Sequence, residues 1–210
     1  MRTNIVIPMK APAKAKTRLA GFLSDEKRHQ LAIDLFRETL KFFNRHFSQH
    51  PILVVTESSF IAGIAKGYGA SVLIEEQTGL RHAAECAAKW SIKHDFQSQL
   101  LIPADIAQLD VQEITELLSV SRANQSVVIS PATDDGTNAL ITTPPNVIPF
   151  LYGTNSSLAH QRVALMKAIE CTVVNLPKLA LDIDTPDDIK QTPVLNKSYE
   201  VDESLLCSMA

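Results

Sequence analysis

The chain has 210 residues, 45% of them hydrophobic, with 7 glycines and 11 prolines. That is enough for one α/β domain with a sizeable core, and it excludes a fibrous or low-complexity chain. A formal charge of −3 gives no reason to expect nucleic acid or a membrane as partner, so any anion site must be a local cluster of bases.

"NIVIP" (Asn4–Pro8) is a short apolar run that proline ends, and it reads as a buried first strand. "MKAPAKAKTRLA" follows as a loop carrying Lys10, Lys14, Lys16 and Arg18. Ser24 is an N-cap with Asp25 and Glu26 in the first turn of a long helix. Ala32, Phe36, Leu40, Phe43 and Phe47 recur along it at helical spacing. "ILVVT" (Ile52–Thr56) is a second strand, "SFIAGIAKGYG" a short helix ending near Gly67 and Gly69, and "SVLIE" (Ser71–Glu75) a third strand. Residues 80–94 are helical in composition, and "QLLIPAD" (Gln99–Asp105) is a fourth strand. Asp110 and Glu113 make a D-x-x-E helix start, with the helix running to about Val120. "SVVISPA" and "NALITT" are strands on either side of "TDDG". Ser157–Ile169 is helical, "CTVVNL" is a strand, and "LALDID" extends toward "TPDDI". Residues 191–210 form a polar tail after a domain spanning 1–190. The alternation of strand and helix predicts a mostly parallel twisted sheet with helices on both faces. Ligands of such sheets sit beyond the carboxyl ends of the strands.

Cys86, Cys171 and Cys207 are scattered with no Cys-x-x-Cys spacing, and the six histidines show no ligand spacing. Zinc and thioredoxin-like chemistry are therefore not expected. Sparse, odd-numbered thiols fit a reducing compartment, and no run nears the roughly 20 apolar residues of a membrane span, so the reading is a cytoplasmic protein.

Chemistry is sought just after the strands. Four cations between Lys10 and Arg18 repel one another unless an anion lies among them, as a nucleoside triphosphate would. The loop lacks glycine, so it is neither a Walker A loop nor a Rossmann turn, and composition alone favours a solvated basic loop. Asp105 either caps a turn or holds a divalent cation. In extended "LDID", Asp182 and Asp184 share a face with Cα atoms roughly 6.6 Å apart. Such a pair raises its own pKa values unless a cation intervenes, so Asp105, Asp182 and Asp184 form either a metal-facing set or an exposed strand face with solvated aspartates, the metal set slightly favoured. Thr185, Pro186, Asp187 and Asp188 read instead as a helix start. In "DDGTNAL", Gly136 permits positive φ or close approach of a ligand, but on these residues alone an ordinary hairpin turn is the favoured reading. "YGTNSSLAH" is a turn into a helix that Ser156 is placed to cap, with His160 one turn further on as a packed or solvent-facing residue.

Five segments together, "VIPMKAPAKAKTRL", "PADIAQL", "DDGTNAL", "YGTNSSLAH" and "LDIDTPDDI", resemble in order the motifs of the CofC/FbiD family of guanylyltransferases. The resemblance spans about residues 5–190. It implies a GT-A-like nucleotidyltransferase fold. It further implies transfer from GTP to 2-phospho-L-lactate, phosphoenolpyruvate or 3-phospho-D-glycerate, with release of pyrophosphate, toward coenzyme F-420. By motif, Asp105, Asp182 and Asp184 would hold magnesium. Pro8, Lys10, Lys16, Arg18 and Gly79 would bind the nucleotide, with Lys16, Arg18 and Asp105 also catalytic. Thr137, Gly153 and Ser156 would contact the acid. Arg81 stands where the family often has asparagine, and Ala107 where it has proline. These departures leave base and acid open, and keep alive a transferase for another nucleotide or acceptor, or a non-catalytic nucleotide-binding domain. Neither a nucleic acid nor a membrane partner is implied, and a homodimer is left open.

Overall fold

The computed structural model describes all residues except 76, 78, 121–123, 193–194, 196–197 and 200–210. Most of the 191–210 tail, with Cys207, thus lies outside the described residues.

The sheet is built around β1 (Thr3–Pro8), whose residues Ile5, Val6 and Ile7 are all fully buried. Period-two alternation sends Ile5 and Ile7 to one face and Val6 to the other. On the first face they meet Phe36 and Phe43 of α1 (Asp25–His46). β2 (Ile52–Thr56) pairs with β1 in parallel, and α2 (Ser59–Gly67) adds Ile61 and Ala65 to the same face. β3 (Ser71–Ile74) pairs with β2, and α3 (Leu80–Lys93) covers Val6 on the other face with Ala84, Ala87 and Ala88. Small residues let this helix approach the sheet closely. β4 (Ser98–Leu101) lies on the far side of β1, also parallel. Then come α4 (Val111–Ser119), β5 (Ser126–Pro131), β6 (Thr137–Thr143), α5 (Ser156–Met166), β7 (Glu170–Val173) and α6 (Pro186–Gln191). The strand order is β3-β2-β1-β4-β6-β5-β7 in one sheet of seven. β6 runs antiparallel to both neighbours, while β7 pairs with β5 in parallel. The expected mostly parallel sheet, with helices on both faces, is therefore present. Among the described residues no helix is long and apolar enough to cross a membrane.

Two strand expectations need correction, and both bear on function. The fourth strand stops at Leu101, not Asp105. Ile102 N–H still reaches Val6 O at 3.0 Å, but Pro103 has no N–H to continue the ladder. "LALDID" is not a strand either. It makes an isolated antiparallel bridge between Ile106 and Asp182, with Ala107 N–H donating to Leu181 O and Ile183 N–H to Asp105 O, each at 2.9 Å. This clasp brings Asp105 beside Asp182 and Asp184.

The clasp is fastened from both sides. Glu113 was expected to close a capping box with Asp110. Asp110 does accept the N–H groups of Gln112 and Glu113, but the Glu113 carboxylate accepts those of Lys178 and Leu179, at 3.0 and 2.8 Å. It therefore ties the approach to residue 181 onto α4. Beyond the clasp, Asp188 Oδ2 accepts the N–H of Asp184 at 3.0 Å, and the N–H and hydroxyl of Thr185. Beneath it, Ile183 is fully buried in an apolar cluster with Leu19, Leu23, Leu31, Leu35, Ile189 and Tyr199. Tyr199, in the tail, also donates its hydroxyl to Asp34 of α1 at 2.6 Å.

Candidate active site

At the carboxyl ends of β1, β2 and β4 lies a cleft of about 460 Å³. Pro8, Lys10, Lys14, Lys16, Gly79, Asp105 and Asp184 are among its walls. This is where a parallel sheet places its ligands.

The basic loop is not simply solvated, which corrects the composition-based expectation. It folds into two short 3-10 turns, Pro12–Lys14 and Thr17–Leu19, joined through Lys16. Lys16 has a left-handed φ of 54°, a conformation costing roughly 1–3 kcal/mol outside glycine. That backbone turns its side chain inward, where it is 3% exposed. Its ammonium lies 2.6 Å from Asp105 Oδ2 and 3.2 Å from Asp184 Oδ1. Burial opposes its charge, but the two carboxylates outweigh burial and hold the Lys16 pKa above its ordinary value. Arg18 is exposed and reaches Asp184 Oδ2 at 3.2 Å, while Lys14 pairs with Glu57 at 3.3 Å. Internal carboxylates thus supply the counter-charge for which sequence reasoning looked to a bound anion. Lys10 is exposed at the cleft wall.

Donor oxygens of Asp105, Asp182 and Asp184 all lie within 4.8 Å of one another. Asp182 is the most strained electrostatically. Burial, then the nearby Asp105 charge, pushes its carboxyl pKa up, and Asn138 opposes this weakly from 3.4 Å. Lys16 neutralises Asp105 and Asp184 but not Asp182. An all-oxygen, partly buried set carrying uncompensated negative charge fits a hard divalent cation such as magnesium.

Thr137 directly precedes Asn138, whose amide reaches Asp182 Oδ1 at 3.4 Å, and it brings together residues of the 153–160 segment. Thr137 Oγ1 is 2.9 Å from Ser156 Oγ and 3.2 Å from His160 Nδ1. The expected Ser156 cap does not form. Asn155, with φ 55°, is the N-cap, and the Ser156 hydroxyl faces Thr137 instead. Gly153 has φ 134°, a turn that only glycine makes without strain. At the β5–β6 turn, it is Asp135 that takes the positive φ, 64°. A Cβ at Gly136 would lie 2.7 Å from Asp134 Oδ1, so a larger residue there would displace the exposed carboxylate that accepts the Gly136 N–H.

His160 is the residue sequence reasoning undervalued. It is fully buried, and burial lowers its pKa to about 4, so it is neutral at pH 7. Leu151 N–H donates to Nε2 at 2.9 Å, so the ring carries its proton on Nδ1 and donates to Thr137 Oγ1. Thr137 then has its own proton to give to Ser156 or to a ligand. The unfolded ring titrates near 6.5 and the folded one near 4, so the unfolded chain binds more protons between those values. This contribution is complete above pH 6.5 and is lost as pH falls toward 4. Urea unfolding of wild type and His160→Gln is expected to show it. Wild type loses about 3 kcal/mol more than the variant over that interval.

Two further placements differ from expectation. Arg81 does not enter the cleft; it is exposed and pairs with Glu85 one turn along α3 at 3.0 Å. His82 and Cys86 do come together, with Glu75, in a cluster whose only sequence signal was the H-x-x-x-C spacing.

Comparison with known proteins supports the motif reading. A 3-phospho-D-glycerate guanylyltransferase of Colwellia psychrerythraea is 59% identical over the full length of both chains. A phosphoenolpyruvate guanylyltransferase of Rubrobacter xylanophilus is 31% identical over 90% of this chain and 92% of its own. A cytidylyltransferase structure from Leptospira borgpetersenii superposes with a TM-score of 0.65, covering 100% of this chain and 94% of that one. At 13% identity this shows a shared fold. The family described as "Guanylyl transferase CofC like" matches residues 3–199, and the chain belongs to it.

Proposed function

We propose that this chain is a guanylyltransferase that joins GTP to 3-phospho-D-glycerate and releases pyrophosphate. The observation that carries this reading is the placement of the Asp105–Asp182–Asp184 cluster. Its donor oxygens lie within 4.8 Å of one another, and Asp105 and Asp184 share the cleft wall with Lys10, Lys14 and Lys16. The choice of 3-phospho-D-glycerate over the other two acids rests on the 59% identity with the Colwellia enzyme of that name.

In this reading the triphosphate lies along the lysine wall, and Pro8 and Gly79 border its nucleoside. Lys16 and Arg18 serve as cations for phosphate oxygens, trading carboxylate partners for the ligand. Gly153 and the two hydroxyls of Thr137 and Ser156 face the acid. Asp105, Asp182 and Asp184 would hold magnesium, which when bound neutralises phosphate charge and orients the groups for in-line displacement. A phosphate oxygen of the acid attacks the α-phosphorus of GTP. The bond from that phosphorus to its bridging oxygen breaks, and pyrophosphate leaves with the electron pair. The attacking oxygen is already anionic, so no general base is needed. Catalysis is then positioning and charge neutralisation. The described thiols, scattered and unpaired with one another, agree with a cytoplasmic setting.

The test is pyrophosphate release with GTP, magnesium and each of the three acids in parallel. Turnover with 3-phospho-D-glycerate is expected to exceed that with the other two. Preference for phosphoenolpyruvate or 2-phospho-L-lactate overturns the choice of acid. Absence of release with all three, from folded protein, overturns the reading.

A further inference from the structure

We propose that Glu75, His82 and Cys86 form a second metal site, selective for a soft divalent ion of the zinc class. This site is separate from the aspartate cluster and does not depend on the guanylyltransferase reading. His82 and Cys86 are one turn apart on α3 and so share a face. Glu75 follows β3, and the chain turns through Gly79, at φ 127°, before α3 begins. Glu75 Oε2 lies 3.0 Å from His82 Nε2, and Cys86 Sγ lies 3.4 Å from the same nitrogen. All three donor atoms lie within 4.8 Å of one another.

These spacings suit zinc. Metal–ligand bonds of about 2.0–2.3 Å at tetrahedral angles separate donors by roughly 3.3–3.6 Å, so small side-chain movements suffice. The donor set is one oxygen, one nitrogen and one sulfur. It prefers zinc or a neighbouring transition ion, whereas the aspartate cluster offers oxygen alone and prefers magnesium. A carboxylate and a thiolate together balance the charge of a divalent ion, and binding expels the thiol proton. Glu75 and His82 are 20% and 31% exposed, which leaves an entry path. Three protein ligands leave a fourth position for water or an added group. Glu75 also forms part of the cleft wall. A metal here therefore ties the end of β3 to α3 across the intervening turn and fixes that wall of the cleft.

The test is titration of the full-length, metal-free chain with cobalt(II). Expected is stoichiometric binding with tetrahedral visible bands and a thiolate-to-cobalt charge-transfer band in the near ultraviolet, both lost on adding zinc. Cys86→Ser is expected to abolish the charge-transfer band. His82→Gln and Glu75→Gln should weaken cobalt binding by more than the roughly 10–100-fold that losing an outer-shell partner costs. Asp182→Asn should leave the spectrum unchanged. A second measurement needs no variant: zinc is expected to slow alkylation of Cys86 by iodoacetamide, read by peptide mass spectrometry, and to leave Cys171 unaffected. A missing charge-transfer band at saturating cobalt, a band that survives Cys86→Ser, or unchanged Cys86 alkylation each overturns the site. Neither readout involves guanylyl transfer.

Discussion

Asp184→Asn is expected to lower kcat for pyrophosphate release by about 10²–10³-fold or more, the range of an interaction worth several kcal/mol in the transition state. The substitution keeps size and hydrogen-bonding shape but removes one charge. That charge serves three partners: the Lys16 ammonium, the Arg18 guanidinium and the shared oxygen cluster with Asp105 and Asp182. Asp187, three residues on, is the control. It is exposed and pairs with Lys190 at 3.1 Å within α6, so Asp187→Asn should leave kcat within about twofold. Steady-state kinetics with GTP and 3-phospho-D-glycerate decides between them. Equal activity of the two variants would place the reacting groups elsewhere.

Lys16→Met should fail in two separable ways. In the proposed mechanism Lys16 stabilises developing phosphate charge, so its loss predicts a fall of about 10²–10³-fold in kcat. Folding stability should also fall. A wholly buried pair broken on one side costs 3–5 kcal/mol, but Asp105 and Asp184 are 33% and 37% exposed, so water screens them and about 1–3 kcal/mol is expected. Relief from the left-handed turn does not offset this, because methionine must adopt the same φ. Magnesium titration followed by thermal unfolding adds a discriminating sign. Lys16 competes with any cation for Asp105 and Asp184. The rise in Tm on adding magnesium, without nucleotide, should therefore be larger in Lys16→Met than in wild type. A smaller rise would mean that the lysine does not share the carboxylates with the metal.

Much of the framework was legible because it is local. The alternation of Ile5, Val6 and Ile7, the Phe36–Leu40–Phe43 stripe and the Ser24 cap each depend on neighbours a few positions away. The place of β6 between β4 and β5 was not legible, since strand adjacency is decided by pairing across the chain. The same limit governs the site. By composition Lys16 is one of four equivalent cations, and only the motif resemblance sets it and Arg18 apart. What distinguishes it is contact with carboxylates 89 and 168 positions away. Asp182 and Asp184 were read as a metal-facing pair on one strand face. The strand is absent, yet a single bridge to Ile106 brings the pair to Asp105. His160 reads from its helix as packed or solvent-facing; that it is packed, in contact with Tyr152 and Thr137, is decided by residues outside that helix. Glu75 was invisible as a partner of His82 until the turn at Gly79 was known.

The clasp between residues 105–107 and 181–183 has a consequence for how the chain is made. Among the described residues all seven strands lie between Thr3 and Val173, so Asp182 and Asp184 are made after every strand. When these two carboxylates are made, Asp105 and the cation that pairs with it, Lys16, are already in the chain. Changes that loosen this final fastening should hasten opening far more than they slow the initial collapse. The aspartate cluster is in that sense closed by a late-made segment of the chain.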